Sequence, residues 1–245
     1  MAEKKPTITT DENITTETYT VKKDFWSTYS KPIIYVCAAL VLIVGGWFGY
    51  QKLVKEPKEQ KAEEAVFPAE SLFDKMATAG FNKDSVNIVL NGGISDGVNV
   101  TGLLKVISNF GGTNAANRAE YMTGAAYLQT GEFDKAIKHL KEFDANGAYQ
   151  TDIKRDIMLG HAYAEQKKSD DALSYYKKAA SVNEKDEAFT ADALITAAGY
   201  AASLGKKQEA IDLYEKARDN YPAYPAVQSG EVDKYLASLG VVANN

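Results

Sequence analysis

The sequence predicts an all-α chain: one membrane-crossing helix followed by a solenoid of helical hairpins. Three observations carry this. Residues 32–51 read PIIYVCAALVLIVGGWFGYQ, with no formal charge between Lys31 and Lys52. From Asn117 onward the chain repeats itself, first after 36 and then after 38 residues. Elsewhere the apolar residues recur mainly at helical spacing, and only Val86–Leu90 reads as a short extended run.

Composition narrows the function classes. With 45% apolar and 25% charged residues over 245 positions, wholesale disorder, collagen-like sequence and a polytopic membrane protein are excluded. The net charge is −5, and Arg118, Arg155 and Arg218 are the only arginines, which argues against a nucleic-acid partner. One Cys and two His leave no disulfide framework and no zinc site built on two thiolates, and no cofactor is expected.

The elements follow in order. Residues 1–31 are Thr-rich at the start and carry few large apolar groups, so they are expected to form a flexible tail. The run at 32–51 makes a helix of about 30 Å, the hydrocarbon thickness of a bilayer. Pro32 falls in its expected first turn, and Tyr29, Tyr35, Trp47, Phe48 and Tyr50 supply interfacial rings at its ends. A cleaved signal peptide has a shorter apolar core and a small-residue exit, whereas this run leaves through GGWFGYQK. Lys22, Lys23 and Lys31 on one side balance Lys52, Lys55, Lys58 and Lys61 on the other, so charge does not orient the span. Gly45 and Gly49 form a G-x-x-x-G pair, a candidate packing face for another membrane helix.

Residues 52–116 read as a juxtamembrane linker and helical segment. A helix is expected over Glu59–Ala79, kinked at Pro68, and another over Thr101–Phe110, stopped by Gly111 and Gly112. Between them, Asn-Gly and Asp-Gly steps signal turns.

The repeats occupy 117–227, as units 117–152, 153–190 and 191–227. Gly124, Tyr127 and Ala136 recur as Gly160, Tyr163 and Ala172, then as Ala198, Ala201 and Ala210. Leu140, Tyr176 and Tyr214 correspond, as do Phe143, Ala179 and Ala217. Helices of a hairpin approach closely only where side chains are short, so Gly124 and Gly160 mark crossings. Gly131 and Gly205 fall between the helices, where a left-handed turn suits Gly. Each hairpin buries only part of its apolar face, so stacking completes the core. After Pro222 and Pro225, residues 228–245 read as a capping helix, Glu231–Leu239, and a tail.

This pattern resembles the tetratricopeptide repeat, although no Trp stands at the fourth position and the units exceed the usual length. The wider layout, closest over SNFGGTNAANRAEYMTGAAYLQTGEFDKAIKHL (Ser108–Leu140), resembles the YfgM-like tetratricopeptide-type ancillary subunits of the bacterial Sec translocon in their Bacteroidota-type versions. That resemblance implies a bacterial inner-membrane protein with a cytoplasmic N-terminus and a periplasmic repeat domain. Its implied partners are translocon channel subunits and a membrane-anchored prolyl-isomerase-type chaperone. A general scaffold for envelope assembly or cell division stays open beside it. Catalysis is not expected, because His139 and His161 stand apart with no nucleophile or metal motif beside either.

In the repeat that the chain resembles, defined first-helix positions line a concave groove. They correspond here to Arg118, Tyr121 and Gln129, then Lys154, Ile157, His161 and Glu165, then Asp192 and Ile195. Apolar centres with charges of both signs suit a segment of another protein. The competing expectation is a groove filled by the chain's own C-terminal or juxtamembrane helix.

Overall fold

The computed structural model describes residues 25–241. The chain divides into two units, 1–51 and 52–245.

In the first unit, helix α1 runs Phe25–Tyr50. It is long and apolar enough to cross a membrane, and large side chains such as Ile34, Leu40, Leu42 and Trp47 are exposed along it. The helix starts upstream of the apolar run, so Pro32 lies in its interior rather than in its first turn. The ring therefore removes one backbone hydrogen bond there. Residues 1–24 of the expected tail lie outside the described residues. A five-residue π-helical segment, Gln51–Lys55, follows α1 in the chain.

The second unit opens with α2, Glu56–Ala79. Pro57 sits in its first turn, directly after the π-helical segment, and Pro68 lies inside the helix. The buried stripe Ala62, Val66, Ala69, Leu72 and Met76 follows the 3.6-residue period. Next comes α3, Lys83–Asn91. This corrects the extended reading of Val86–Leu90. The Asn82 side chain accepts from the Ser85 N–H and caps the helix, which outweighs the β-branched valines and isoleucine. Strands β1 (Gly93–Ser95) and β2 (Val98–Val100) pair antiparallel. Asp96 and Gly97 both take positive φ, 51° and 77°, the mirror-image turn that two-residue hairpins favour. Helix α4, Leu103–Phe110, begins just after Gly102. A side chain on Gly102 would meet backbone atoms of α3's C-terminal end, so only Gly fits the crossing.

Three helical hairpins follow: α5 (Asn114–Gln129) with α6 (Phe133–Glu142), α7 (Tyr149–Glu165) with α8 (Ser169–Ala179), and α9 (Glu187–Ser203) with α10 (Lys207–Asn220). Their crossings lie at the expected positions. A Cβ on Gly124 would meet Leu140 Cγ at 2.6 Å, and one on Gly160 would meet the Tyr176 ring at 2.5 Å. Ala136, Ala172 and Ala210 are fully buried on the second helices. The hairpin turns place Gly131 at φ 77° and Gly205 at φ 72°. The equivalent position in the middle hairpin is Lys167, at φ 59°. A side chain there works against the turn by about 1–2 kcal/mol. Helices α11 (Pro225–Gln228) and α12 (Glu231–Ser238) end the described chain, with Val232 and Leu236 of α12 packed on Ala198, Ile211 and Tyr214.

Candidate partner-binding face

The first helices α5, α7 and α9 carry all the repeat residues expected to line a groove, and α2 adds a fourth helix beside α5. The joint between α2 and α5 is apolar beneath and ionic above. Ala62, Val66, Ala69, Leu72 and Met76 pack with Ala115, Ala119, Met122 and Ala126. Over them the Arg118 guanidinium donates to both Glu63 oxygens at 3.0 and 2.6 Å and to Glu70 at 2.9 Å. The Arg118 hydrogen bond holds the Glu63 carboxyl below its usual range, against a smaller opposing effect of burial. The same bonds, Glu63's foremost, raise Arg118 further above its already high value. At the start of α5, Glu59 accepts from the N–H groups of Asn114 and Ala115 at 3.0 and 3.1 Å, while the Thr113 hydroxyl accepts from Ala116. These contacts satisfy otherwise orphaned N-terminal donors and place negative charge at the positive end of the helix.

Arg118 and Tyr121 line a cavity of about 430 Å³ between α2, α5 and the α6–α7 connection. Its walls include Glu70, Asp74, Met122 and Phe143. The Tyr121 and Phe143 rings lie 5.1 Å apart, and burial raises the Tyr121 hydroxyl pKa. Asn117 shapes the far wall: its amide donates to the Asp144 carbonyl at 2.7 Å and its oxygen accepts from the Asp144 N–H at 2.9 Å. The expected groove positions omit Asn117, Phe143 and Asp144, although Phe143 stands at a repeat position. Two of them lie in or beside a connection between repeats, where the helical period carries no signal.

The remaining expected residues spread along the row. Gln129 is exposed at the end of α5. Lys154 is exposed, its ammonium 5.3 Å from the Phe189 ring centroid. Ile157 and Ile195 are half-buried and join the core between α7 and α9. His161 keeps an exposed edge, and its Nδ1 lies 2.8 Å from the Tyr176 hydroxyl. The atoms crowded round the ring lower its pKa, with Glu165 opposing. Glu165 and Asp192 are exposed, and Asp192 accepts from the Tyr224 hydroxyl at 3.2 Å. Thus α2 occupies part of the face at Arg118, while Lys154, Glu165 and Asp192 remain open to solvent. In the first unit, Gly45 and Gly49 have nothing within 4 Å of an added Cβ.

His139 pairs with Glu120 at 2.6 Å and stacks on Tyr127, well away from His161 in the chain. Among the described residues, no group of three or more His, Cys, Asp or Glu side chains is placed to hold a metal ion.

A sequence comparison with curated proteins finds no match. Residues 156–223, from the first helix of the middle hairpin through the end of the third, match a protein-family model described as Tetratricopeptide repeat. Over that stretch the stacked hairpins and small-residue crossings have the form of tetratricopeptide repeats.

Proposed function

We propose that this chain is a non-catalytic, membrane-anchored scaffold of the Sec translocon. Helix α1 crosses the bacterial inner membrane, with 1–31 cytoplasmic and the repeat unit periplasmic. The row α5, α7 and α9 binds translocon subunits and a membrane-anchored prolyl-isomerase-type chaperone, assisting protein export. The observation that carries the binding role is the open first-helix face. Lys154, Glu165 and Asp192 are exposed around half-buried Ile157 and Ile195, beside the cavity at Arg118 and Tyr121. Mixed charge around apolar centres favours a protein segment over a uniformly charged ligand. The resemblance over Ser108–Leu140 supports the translocon as the site of action.

The test is affinity purification of the full chain after gentle detergent extraction, for the native protein and for a Tyr121→Ala, Ile157→Asp double variant. Recovery of translocon channel subunits by the native chain, lost in a folded double variant, is the expected result. Recovery of envelope-assembly or division proteins without the channel would make the chain a general scaffold. Undiminished capture by the variant would move the binding surface elsewhere, with the Gly45–Gly49 face next to be tested.

A further inference from the structure

A second surface is built from α6, α8, the α7–α8 turn and Tyr163 of α7, and it uses none of the residues expected to line the groove. Tyr163 of α7 and Tyr175 of α8 stack with centroids 5.3 Å apart and planes 11° from parallel. Three ammonium groups converge on this pair. Lys141 Nζ donates to the Tyr163 hydroxyl at 2.8 Å and lies 5.4 Å from the Tyr163 ring and 5.9 Å from the Tyr175 ring. Lys168 lies 5.7 Å from Tyr163 and Lys178 5.6 Å from Tyr175. All three lysines are exposed, Tyr175 is half-buried and Tyr163 is buried.

The charges here do not cancel. Lys178 and Arg155 share the fully buried Asp156, and Arg155 also holds Asp152, so those four groups balance. Among the described residues, Lys141 and Lys168 have no carboxylate partner. Their paired counterparts nearby show the contrast: Lys177 is held by Glu209, Lys206 by Asp170 and Lys216 by Glu184. A ring face attracts a cation without neutralising it, so two positive charges remain on a chain whose net charge is −5.

The same register is filled differently in the other hairpins. In the first, Tyr127 stacks on His139, but His139 is paired with Glu120 and Lys135 with Glu132. In the third, the positions hold Ala201 and Leu213. Among the described residues, this register therefore combines stacked rings with unpaired lysines only over the rings of the middle hairpin, with Lys141 reaching them from α6.

We propose that the Lys141, Lys168 and Lys178 cluster over the Tyr163–Tyr175 stack is a docking surface for an acidic segment of a partner protein, one presenting several Asp or Glu side chains in succession. The surface favours carboxylates over phosphate. Its donors are separate ammonium point charges on an open platform, without the Arg fork or backbone N–H concavity that suits a phosphate group. The exposed part of Tyr175 offers apolar contact to the methylene stems of Glu.

The experiment uses the full chain in zwitterionic nanodiscs and fluorescein-labelled hexaglutamate, with hexaglutamine as control, read by fluorescence anisotropy. Hexaglutamate binds and hexaglutamine does not. Lys141→Gln with Lys168→Gln weakens binding about tenfold or more, since opposing charges at close range carry the contact. Lys177→Gln with Lys216→Gln removes as much charge from paired sites and leaves binding within about twofold. Lys141→Arg with Lys168→Arg keeps the charge and keeps binding, which separates loss of the surface from loss of the fold. The proposal is overturned by absent hexaglutamate binding, by equal weakening in both Gln double variants, or by loss of binding in the Arg variant while it stays folded. Binding of phosphatidylglycerol vesicles through Lys141 and Lys168, with no hexaglutamate binding, would assign the surface to a membrane instead.

Discussion

The repeats at 117–227 and the segment before them, 52–116, are both largely helical but are specified by different means. In the repeats, each hairpin solves the same problem with the same residue types, and the interfaces are local. Unit lengths can therefore drift from 36 to 38 residues while Ala136, Ala172 and Ala210 stay fully buried. The preceding segment solves its problem once. Helices α2 and α4 are joined through α3 and a hairpin of two three-residue strands, and the joint closes because Gly102 lies against the end of α3 with no room for a side chain. A repeat is robust through redundancy of pattern; the segment before it adds to its apolar core one backbone approach that only Gly allows.

Adding one methyl group in each region separates these cases. Gly102→Ala is expected to cost about 3 kcal/mol or more, because the new Cβ meets Gly92 N at 2.5 Å and Leu90 O at 2.6 Å, and backbone cannot step aside. Thermal unfolding of the full chain in micelles, followed by far-ultraviolet circular dichroism, measures it. An unchanged midpoint would mean that the two backbones do not approach. Gly160→Ala in the repeats should cost less, about 1–3 kcal/mol, because the obstacle is the Tyr176 ring, which can tilt although it is buried. If that loss equals or exceeds the first, the contrast between the regions fails.

The smallest effect is expected at the joint between them. Arg118 holds Glu63 ionised below the usual value of 4.5, so the pair stabilises the fold above that pH. The contribution fades as pH falls from there through the lower folded-state pKa, where Glu63 takes up a proton. Both side chains are close to half exposed, so the amount is about 1 kcal/mol or less. Comparing stability from pH 6 down to pH 3 in the native chain and in Arg118→Met checks it: the variant should lose less over that window.

Much of the repeat architecture was legible because small residues at a fixed spacing have one structural use. Gly124 and Gly160 mark crossings in the sequence itself. Lys167 could not be read as a turn residue, since its left-handed backbone is imposed by the helices on either side and its own chemistry opposes it. Nor did Val86–Leu90 declare itself a helix, because its β-branched side chains speak more loudly than the Asn82 cap. On the candidate face, the spacing placed Arg118 on the first-helix row. It could not show that Glu63 and Glu70 engage it, since α2 and α5 are far apart in sequence and their meeting is tertiary. The cavity wall at Phe143 and Asp144 was hidden because the connection between repeats carries no helical period.

The long separation between α2 and α5 also sets a clock for synthesis. The stripe Ala62, Val66, Ala69, Leu72 and Met76 is translated well before Ala115, Ala119, Met122 and Ala126, the residues that cover it. At about 5–20 residues per second, the delay lasts on the order of 3–10 s. During that interval α2 has only its immediate neighbours α3 and α4 to lean on, and its Glu59, Glu63 and Glu70 carboxylates keep the uncovered helix hydrated. The later hairpins meet no such wait, because each finds its predecessor already made. Nascent-chain aggregation and chaperone capture should therefore concentrate in one brief window, opening as Ala79 leaves the ribosome and closing as Gln129 follows it.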